Sequence, residues 1–246
     1  MAADELLLEE ARGGRAALRL YRWSVPTWSL GRLQEWAGSV DPAFCREHGV
    51  EIVRRPTGGR GVLHHHELTY AIAAPVGTGP FGGKAARGRD LIAACLSRAI
   101  RSLGGEVSVA AGASRRRTTT PHCFAGADEG ELVSGRGKLI GSAQRRLRGA
   151  FVQHGSIPIR RDDAQAAGAA GAPLQAGLPT VESLCGRDVS PGELGEEIRK
   201  AFEETLGTPL RAAEWTEDER LEIERLRAQR YLSAEWTRHG DRRRAA

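Results

Sequence analysis

The sequence predicts an α+β (mixed α/β) protein, a central mixed β-sheet flanked by helices, and three observations carry that prediction. Strand-like stretches bounded by glycine or proline dominate the first two thirds: "ALRLYRW", "VEIV", "HELTYAIAAP" and Ala150–Ile159. A stripe of helical period, Leu91, Ile92, Cys95, Leu96, Ala99, Ile100 and Leu103, separates the earlier strands from the later ones. Two helices with their own start signals close the chain. With 246 residues, 40% of them apolar, the chain is long enough to bury one substantial core. We read 1–246 as a single domain, with a core of about 2–206 and a C-terminal helical extension over 214–246.

In chain order, residues 3–12 read as a helix with Leu6, Leu7 and Leu8 as apolar surface, stopped by Gly13-Gly14. Ala17–Trp23 reads as a strand, and "SVPTWSLG" as the turn after it. Val50–Val53 runs into a glycine turn and "HELTYAIAAP" follows, closed by Pro75, so the pair reads as two strands joined by a glycine-rich loop. "GPFGGKAARG" is a loop, and Asp90–Leu103 is a helix with Cys95 on its buried stripe. "EVSVAAG" is a short strand and "ASRRRTTTPHCFAGADEGE" a polar loop. Strands follow around Leu132-Val133, Leu139–Ala143 and Ala150–Ile159.

Residues 162–178 are rich in Ala and Gly and read as a flexible excursion. Ser190 then N-caps a helix whose first residue is Pro191, with Glu193 as capping-box partner and Gly207 at its end. Leu194, Ile198, Phe202 and Leu206 form its buried face. Thr216 and Glu219 form a second capping box, opening a C-terminal helix with Leu221, Ile223, Leu226 and Tyr231.

Charge and cysteine usage exclude several classes. The net charge is +5 and the pI about 9.4. No zinc finger, RNP-like strand or basic zipper accompanies it, so an acidic protein partner fits better than nucleic acid. The runs Arg115–Arg117 and Arg242–Arg244 read as solvated loop and tail charge. Cys45, Cys95, Cys123 and Cys185 are widely spaced, which fits neither a zinc ribbon nor a disulfide framework. The acidic start "MAADELLLEEARGG" lacks the features of a signal peptide, and no stretch approaches the roughly 18 apolar residues of a membrane span. We therefore expect a reduced, cytoplasmic setting with no membrane partner.

Two segments carry candidate chemistry. In "RRPTGGRGVLHHHELTY", Gly58, Gly59 and Gly61 let the backbone approach a ligand, and their amides attract anions or carbonyl oxygens. The spacing is neither a Walker loop nor a dinucleotide fingerprint, and a plain hairpin turn would read similarly. On a strand, His64 and His66 would share one face and His65 the other, with no further ligands at metal spacing, so no metal is expected. In "PHCFAGADEGELVSGRGKLIGSAQRR", Cys123 follows an accessible polar loop, and Lys138 stands among small residues fifteen positions on. A nearby ammonium favours the thiolate, and such a sulfur can accept and pass on an acyl group. A packed cysteine and a surface lysine would leave the same spacing.

A resemblance narrows the choice. "RRPTGGRGVLHHHELTY", "GKLIGSAQRR" and "QHGSIPI" resemble the three signature blocks of the lipoate/biotin protein ligase and lipoyl octanoyltransferase superfamily. "YRWSVPTWSLGRLQ" and "AADELLL" are similar to that family as well, so the likeness covers most of residues 2–205 in order. It implies the family's catalytic-domain fold, a lysine at Lys138 in contact with the acyl group or acyl-adenylate, and a glycine loop along the acyl chain. It further implies substrate contacts from Arg55, Thr57, Gly58, Gly59, His64, Gly141, Ser142, Ala143, His154 and Gly155. "CF" at Cys123-Phe124, with Glu131 and "LV" following and then Lys138, resembles the cysteine/lysine-type octanoyltransferases. Biotin ligases are less similar in every block.

The implied reaction moves octanoate from octanoyl-acyl carrier protein to a lysine of a lipoyl domain or of glycine-cleavage H protein. It runs through a thioester on Cys123 with no cofactor. The resemblance leaves open an ATP- and Mg-dependent lipoate ligase and an amidotransferase between lipoyl-type proteins. The sequence departs from the family pattern in three places. "AGADEG" follows "CF" where Pro-Ser and an aromatic are usual, His65 stands where Asp is common, and Gly137 precedes the lysine with Arg136 displaced by one.

Overall fold

The computed structural model of the chain describes residues 1–77, 79–82, 85–110, 123–125 and 130–241. Both arginine runs, Arg115–Arg117 and Arg242–Arg244, lie outside the described residues. Helix α1 (Ala2–Arg12) leads into β1 (Ala17–Tyr21), β2 (Thr27–Leu30), α2 (Pro42–Glu47), β3 (Glu51–Arg54), β4 (Val62–His64) and β5 (Glu67–Pro75). Helix α3 (Ala85–Ser102) follows, then β6 (Ser108–Val109), a 3-10 turn at Cys123–Ala125, β7 (Leu132–Ser134), β8 (Gly137–Lys138), β9 (Gly141–Leu147) and β10 (Ala150–Pro158). The remainder is helical: α4 (Asp163–Ala170), α5 (Val181–Cys185), α6 (Pro191–Leu206), α7 (Glu217–Leu226), a π turn at Arg227–Tyr231 and α8 (Ala234–His239).

The largest sheet is antiparallel, in the order β1-β5-β10-β9. Its two central strands are covered on both faces, and their alternation divides the side chains between two cores. Leu68, Tyr70, Ile72 and Ala74 of β5 and Phe151 and Ile157 of β10 face α3 and α6, where they meet Ile92, Leu96, Ile100, Leu194, Ile198 and Phe202. Ala73, Ala150 and Val152 face Leu7, Leu8 and Ala11 of α1. The stripe read for α3 is thus the buried one, and Cys95 lies within it.

A second sheet, β3-β2-β4, contains the parallel pairing, β2 beside β3. "TWSL" is therefore a strand, not the expected turn: Trp28 and Leu30 enter a core of their own with Val40, Cys45 and Val50. The expected joining of Val50–Val53 to "HELTYAIAAP" is also replaced, because β3 pairs with β2 and β5 pairs with β1 and β10 in another sheet. The histidine run is the corner between the sheets. His64 ends β4, His66 takes φ 53°, and the rings of His65 and His66 stack at 3.7 Å.

The Ala/Gly-rich stretch is no flexible excursion over 163–170. Asp162 caps α4, Gly171 ends it in the left-handed conformation, and alanine supplies high helix propensity. Small residues are needed because α4 packs tightly on α2: a Cβ at Gly168 would fall 2.1 Å from the Phe44 ring. Ser190 caps α6 as read, but Glu193 turns its carboxylate to Arg187 at 2.6 Å. Thr216 and Glu219 form a reciprocal capping box. The C-terminal segment packs back on α1 through Tyr231, Trp236 and Ala2. Among the described residues no helix is long and apolar enough to cross a membrane.

Candidate active site

A small cavity opens where β9 and β10 face β2, β4 and the Cys123 turn. Cys123 lines it and is part-buried. The Cys123 backbone N–H donates to Gly61 O at 3.0 Å, which fastens the turn to the glycine loop. Glycines 141 and 155 form the opposite wall. A Cβ at Gly141 would stand 3.4 Å from Cys123 Sγ, and one at Gly155 would come within 2.5 Å of the Tyr70 ring.

Lys138 arrives on a two-residue hairpin. Gly137 takes φ +121° to close it, and the register of β7 on β8 sets Lys138 opposite Val133. Its Nζ lies 3.6 Å from Cys123 Sγ, 3.1 Å from Cys123 O and 2.7 Å from Glu131 Oε1. Lys138 is 4% exposed, and burial alone would draw its pKa down. The Cys123 sulfur as thiolate and the Glu131 carboxylate outweigh that penalty, so the lysine is held above its ordinary value.

Arg55 shapes the glycine loop from within. Its guanidinium donates to Gly58 O at 2.8 Å, Arg60 O at 2.7 Å and Ser29 O at 3.0 Å. Burial pulls it down to about 10, against the opposing field of Cys123. The loop is compact enough that a Cβ on Gly31 would sit 2.0 Å from Gly59 O.

Two carboxylate–imidazole–hydroxyl chains brace the cavity. In one, His64 bridges Glu67 Oε1 and Ser29 Oγ, each at 2.7 Å. In the other, His154 bridges Asp4 Oδ2 at 3.1 Å and Thr57 Oγ1 at 2.6 Å. Asp4 also accepts from Arg19 at 2.8 Å and from the Tyr21 hydroxyl. Burial alone would raise the Asp4 carboxyl, but the terminal ammonium, His154 and Arg19 hold it well below the usual carboxylate range. Burial depresses the pKa of His154, more than Asp4 raises it.

The structure thus brings Cys123, Arg55, His64, Gly141, Ser142, Ala143, His154 and Gly155 to one cavity, with the Lys138 ammonium at the cysteine. Thr57, Gly58 and Gly59 do not line it, and the two glycines are exposed on the loop. Thr57 is fully buried against His154, and the Gly58 carbonyl is turned onto Arg55. Asp4, Ser29 and Glu67 belong to the network and carry no motif in the sequence: Asp4 is one of four acidic residues of α1, and Ser29 and Glu67 share strands with Thr27 and Thr69. Among the described residues no group of three or more His, Cys, Asp or Glu is placed to hold a metal ion. Residues 126–129 of the altered "AGADEG" stretch lie outside the described residues.

Comparison with known proteins agrees with this architecture. Residues 1–203 match the lipoyl protein ligase A/B catalytic domain. The octanoyltransferase LipM of Moorella thermoacetica is 34% identical, with 96% of this chain and 92% of the relative covered. The LipM of Carboxydothermus hydrogenoformans is 42% identical over 165 residues, covering 66% of this chain and 61% of that protein. Among solved structures, lipoate-protein ligase A bound with ATP superposes with a TM-score of 0.80 at 20% identity, over 97% of this chain and 92% of that one. A bipartite lipoate protein ligase from Thermoplasma acidophilum, described with its E2 lipoyl domain, gives 0.78 at 20% identity, over 97% and 90%. At that identity the superpositions speak for the fold. Fold, site geometry and the match over residues 1–203 together place the chain in the lipoyl protein ligase A/B catalytic-domain family.

Proposed function

We propose that this chain is an octanoyltransferase of protein lipoylation that works through a thioester on Cys123. The observation that carries the reading is the approach of Lys138 Nζ to 3.6 Å from a part-buried Cys123 Sγ on the wall of the cavity. The Lys138 ammonium stabilises the sulfur as it attacks the octanoyl thioester of acyl carrier protein. The carrier's thiol leaves and the octanoyl group stays on Cys123. The acyl tail lies along Val62 and the small residues Gly141, Ala143 and Gly155, where each buried methylene contributes about 0.8 kcal/mol. A lysine of a lipoyl domain or glycine-cleavage H protein then takes the acyl group as an amide. The reaction as written uses no metal, nucleotide or other cofactor. Four free thiols and a basic chain suit the reducing cytoplasm and acidic protein partners.

The test is intact-mass analysis after incubation with octanoyl-acyl carrier protein in the absence of ATP. The wild type gains one octanoyl group, hydroxylamine removes it, and Cys123→Ala gains none. An octanoyl or lipoyl transfer that needs ATP and survives Cys123→Ser would make the chain a ligase instead.

A further inference from the structure

The register of the main sheet lays out a path for the acyl tail. Residues paired directly across antiparallel strands share one face. Gly141 of β9 pairs with Ser156 of β10, Ser156 with Thr69 of β5, and Thr69 with Tyr21 of β1. The four form one row across the sheet, and each of them lines the cavity. Cys123 Sγ marks one end of the row, since a Cβ at Gly141 would stand 3.4 Å from it. Tyr21, on the opposite edge strand, marks the other.

The neighbouring rows offer no such path. In the next row on this face Ala143 and His154 line the cavity, but Ala71 and Arg19 beyond them do not, and the His154 ring is held between Thr57 and Asp4. In the row of Ser142, Gly155, Tyr70 and Leu20, Tyr70 and Leu20 belong to the core on the α3 side. The Gly141–Tyr21 row also suits a hydrocarbon. The hydroxyls of Ser156 and Thr69 both donate to Glu67, and Trp23 Nε1 donates to Thr69 Oγ1 at 3.0 Å, so the polar atoms of the row are already paired. Tyr21 is fixed at its end. The Arg19 guanidinium lies 3.8 Å above its ring, its hydroxyl donates to Asp4 Oδ2 at 3.3 Å, and the Trp23 ring stands 6.2 Å away.

The length of the row matches eight carbons. Neighbouring strands lie about 4.8 Å apart, so the row spans about 14 Å from Gly141 to Tyr21. An extended alkyl chain advances about 1.25 Å per C–C bond, which puts the terminal methyl of an octanoyl thioester about 11 Å from the sulfur. Van der Waals contact between that methyl and a wall takes up about 3.5–4 Å more. We infer that Tyr21 is the stop that sets the acyl chain at eight carbons; the inference deepens the acyl-enzyme reading above and rests on it. Two further carbons need about 2.5 Å that the Tyr21 ring already occupies. A chain two carbons shorter leaves the end of the row uncovered and forgoes that burial.

The test is the rate at which Cys123 is charged by hexanoyl-, octanoyl-, decanoyl- and dodecanoyl-acyl carrier protein without ATP, followed by intact mass. Wild type, Tyr21→Ala, Tyr21→Leu and Tyr21→Trp are compared. The wild type is expected to charge fastest with octanoyl and to disfavour decanoyl by about 10-fold or more. Tyr21→Ala and Tyr21→Leu are expected to reverse that order, charging faster with decanoyl or dodecanoyl than with octanoyl. Tyr21→Trp is expected to favour hexanoyl. Leucine keeps an apolar side chain in the wall, so it decides the matter if the alanine variant does not fold. An octanoyl optimum in every folded variant overturns the inference and leaves the acyl-enzyme standing, as does a wild type that takes decanoyl as fast as octanoyl. An equal loss with all four donors also overturns it, by reducing Tyr21 to a structural part. A wild type that charges with none of the donors overturns the acyl-enzyme reading and this one with it.

Discussion

Glu131 Oε1 lies 2.7 Å from Lys138 Nζ, so the ammonium that faces Cys123 is one half of a buried ion pair. Removing Lys138 therefore does two things. It takes the cation from the sulfur, and it strands a carboxylate that is 12% exposed. We expect Lys138→Met to abolish acyl-enzyme formation and to cost about 3–5 kcal/mol in urea unfolding. The double variant Lys138→Met/Glu131→Gln should regain much of that stability while staying inactive. If the double variant is no more stable than the single one, the two side chains are not coupled.

Gly155→Ala tests the cavity wall. Its Cβ would lie 2.5 Å from the Tyr70 ring and 2.8 Å from Gly141 O, and the backbone contact cannot swing away. Overpacking of this kind costs about 1–3 kcal/mol. The expected outcome is a lower urea midpoint together with a shift in preference from octanoyl toward shorter acyl donors. An unchanged chain-length profile would remove this strand from the acyl site.

The C-terminal extension is expected to support the site although residues 214–241 lie beyond the family match. Arg54 is fully buried, and its guanidinium donates to Thr237 O and Arg238 O, each at 3.0 Å, as well as to Gly31 O and Gln34 O. Trp236 returns a hydrogen bond to Arg54 O at 2.9 Å. Trp236→Ala should cost about 3–5 kcal/mol, and a chain ending at 213 should lose more and acylate slowly, because Arg54 directly precedes Arg55. Thermal unfolding and intact-mass charging measure both. A truncated chain with wild-type stability would detach the extension from the site.

Acid should weaken the link between α1 and β10. Asp4 is held below its ordinary value, so its contribution to stability is present above about pH 4, the unfolded carboxyl range, and is lost as pH falls toward its folded value. Wild type and Asp4→Asn should therefore differ most near neutral pH and converge as pH drops below about 4. Urea midpoints at pH 7, 5 and 3 check this, and a gap of constant size would contradict it.

Much of this was legible before any coordinates, for reasons specific to each element. Helices α3, α6 and α7 carry apolar periodicity or caps within their own residues, so local reading sufficed. Strand β2 did not, because Thr27–Leu30 is four residues long, follows a proline, and is stabilised by pairing with β3 and β4. Helix α4 looked like a linker because its small residues are chosen by the Phe44 ring, which sequence spacing does not reveal. At the site, Cys123 and Lys138 were singled out by spacing and family resemblance. Asp4 and Ser29 could not be, since each acquires its role from a partner 150 and 35 positions away, respectively.

The bond from Asp4 to His154 joins the first helix to the last strand of the main sheet, so the pocket is assembled from distant parts of the chain. A nascent or partly folded chain holds Cys123 without its electrostatic surroundings, and contacts this far apart in sequence form slowly. The cavity is thus a late property of the molecule: its walls meet only when the first helix has docked on the last strand, and they part when that docking loosens.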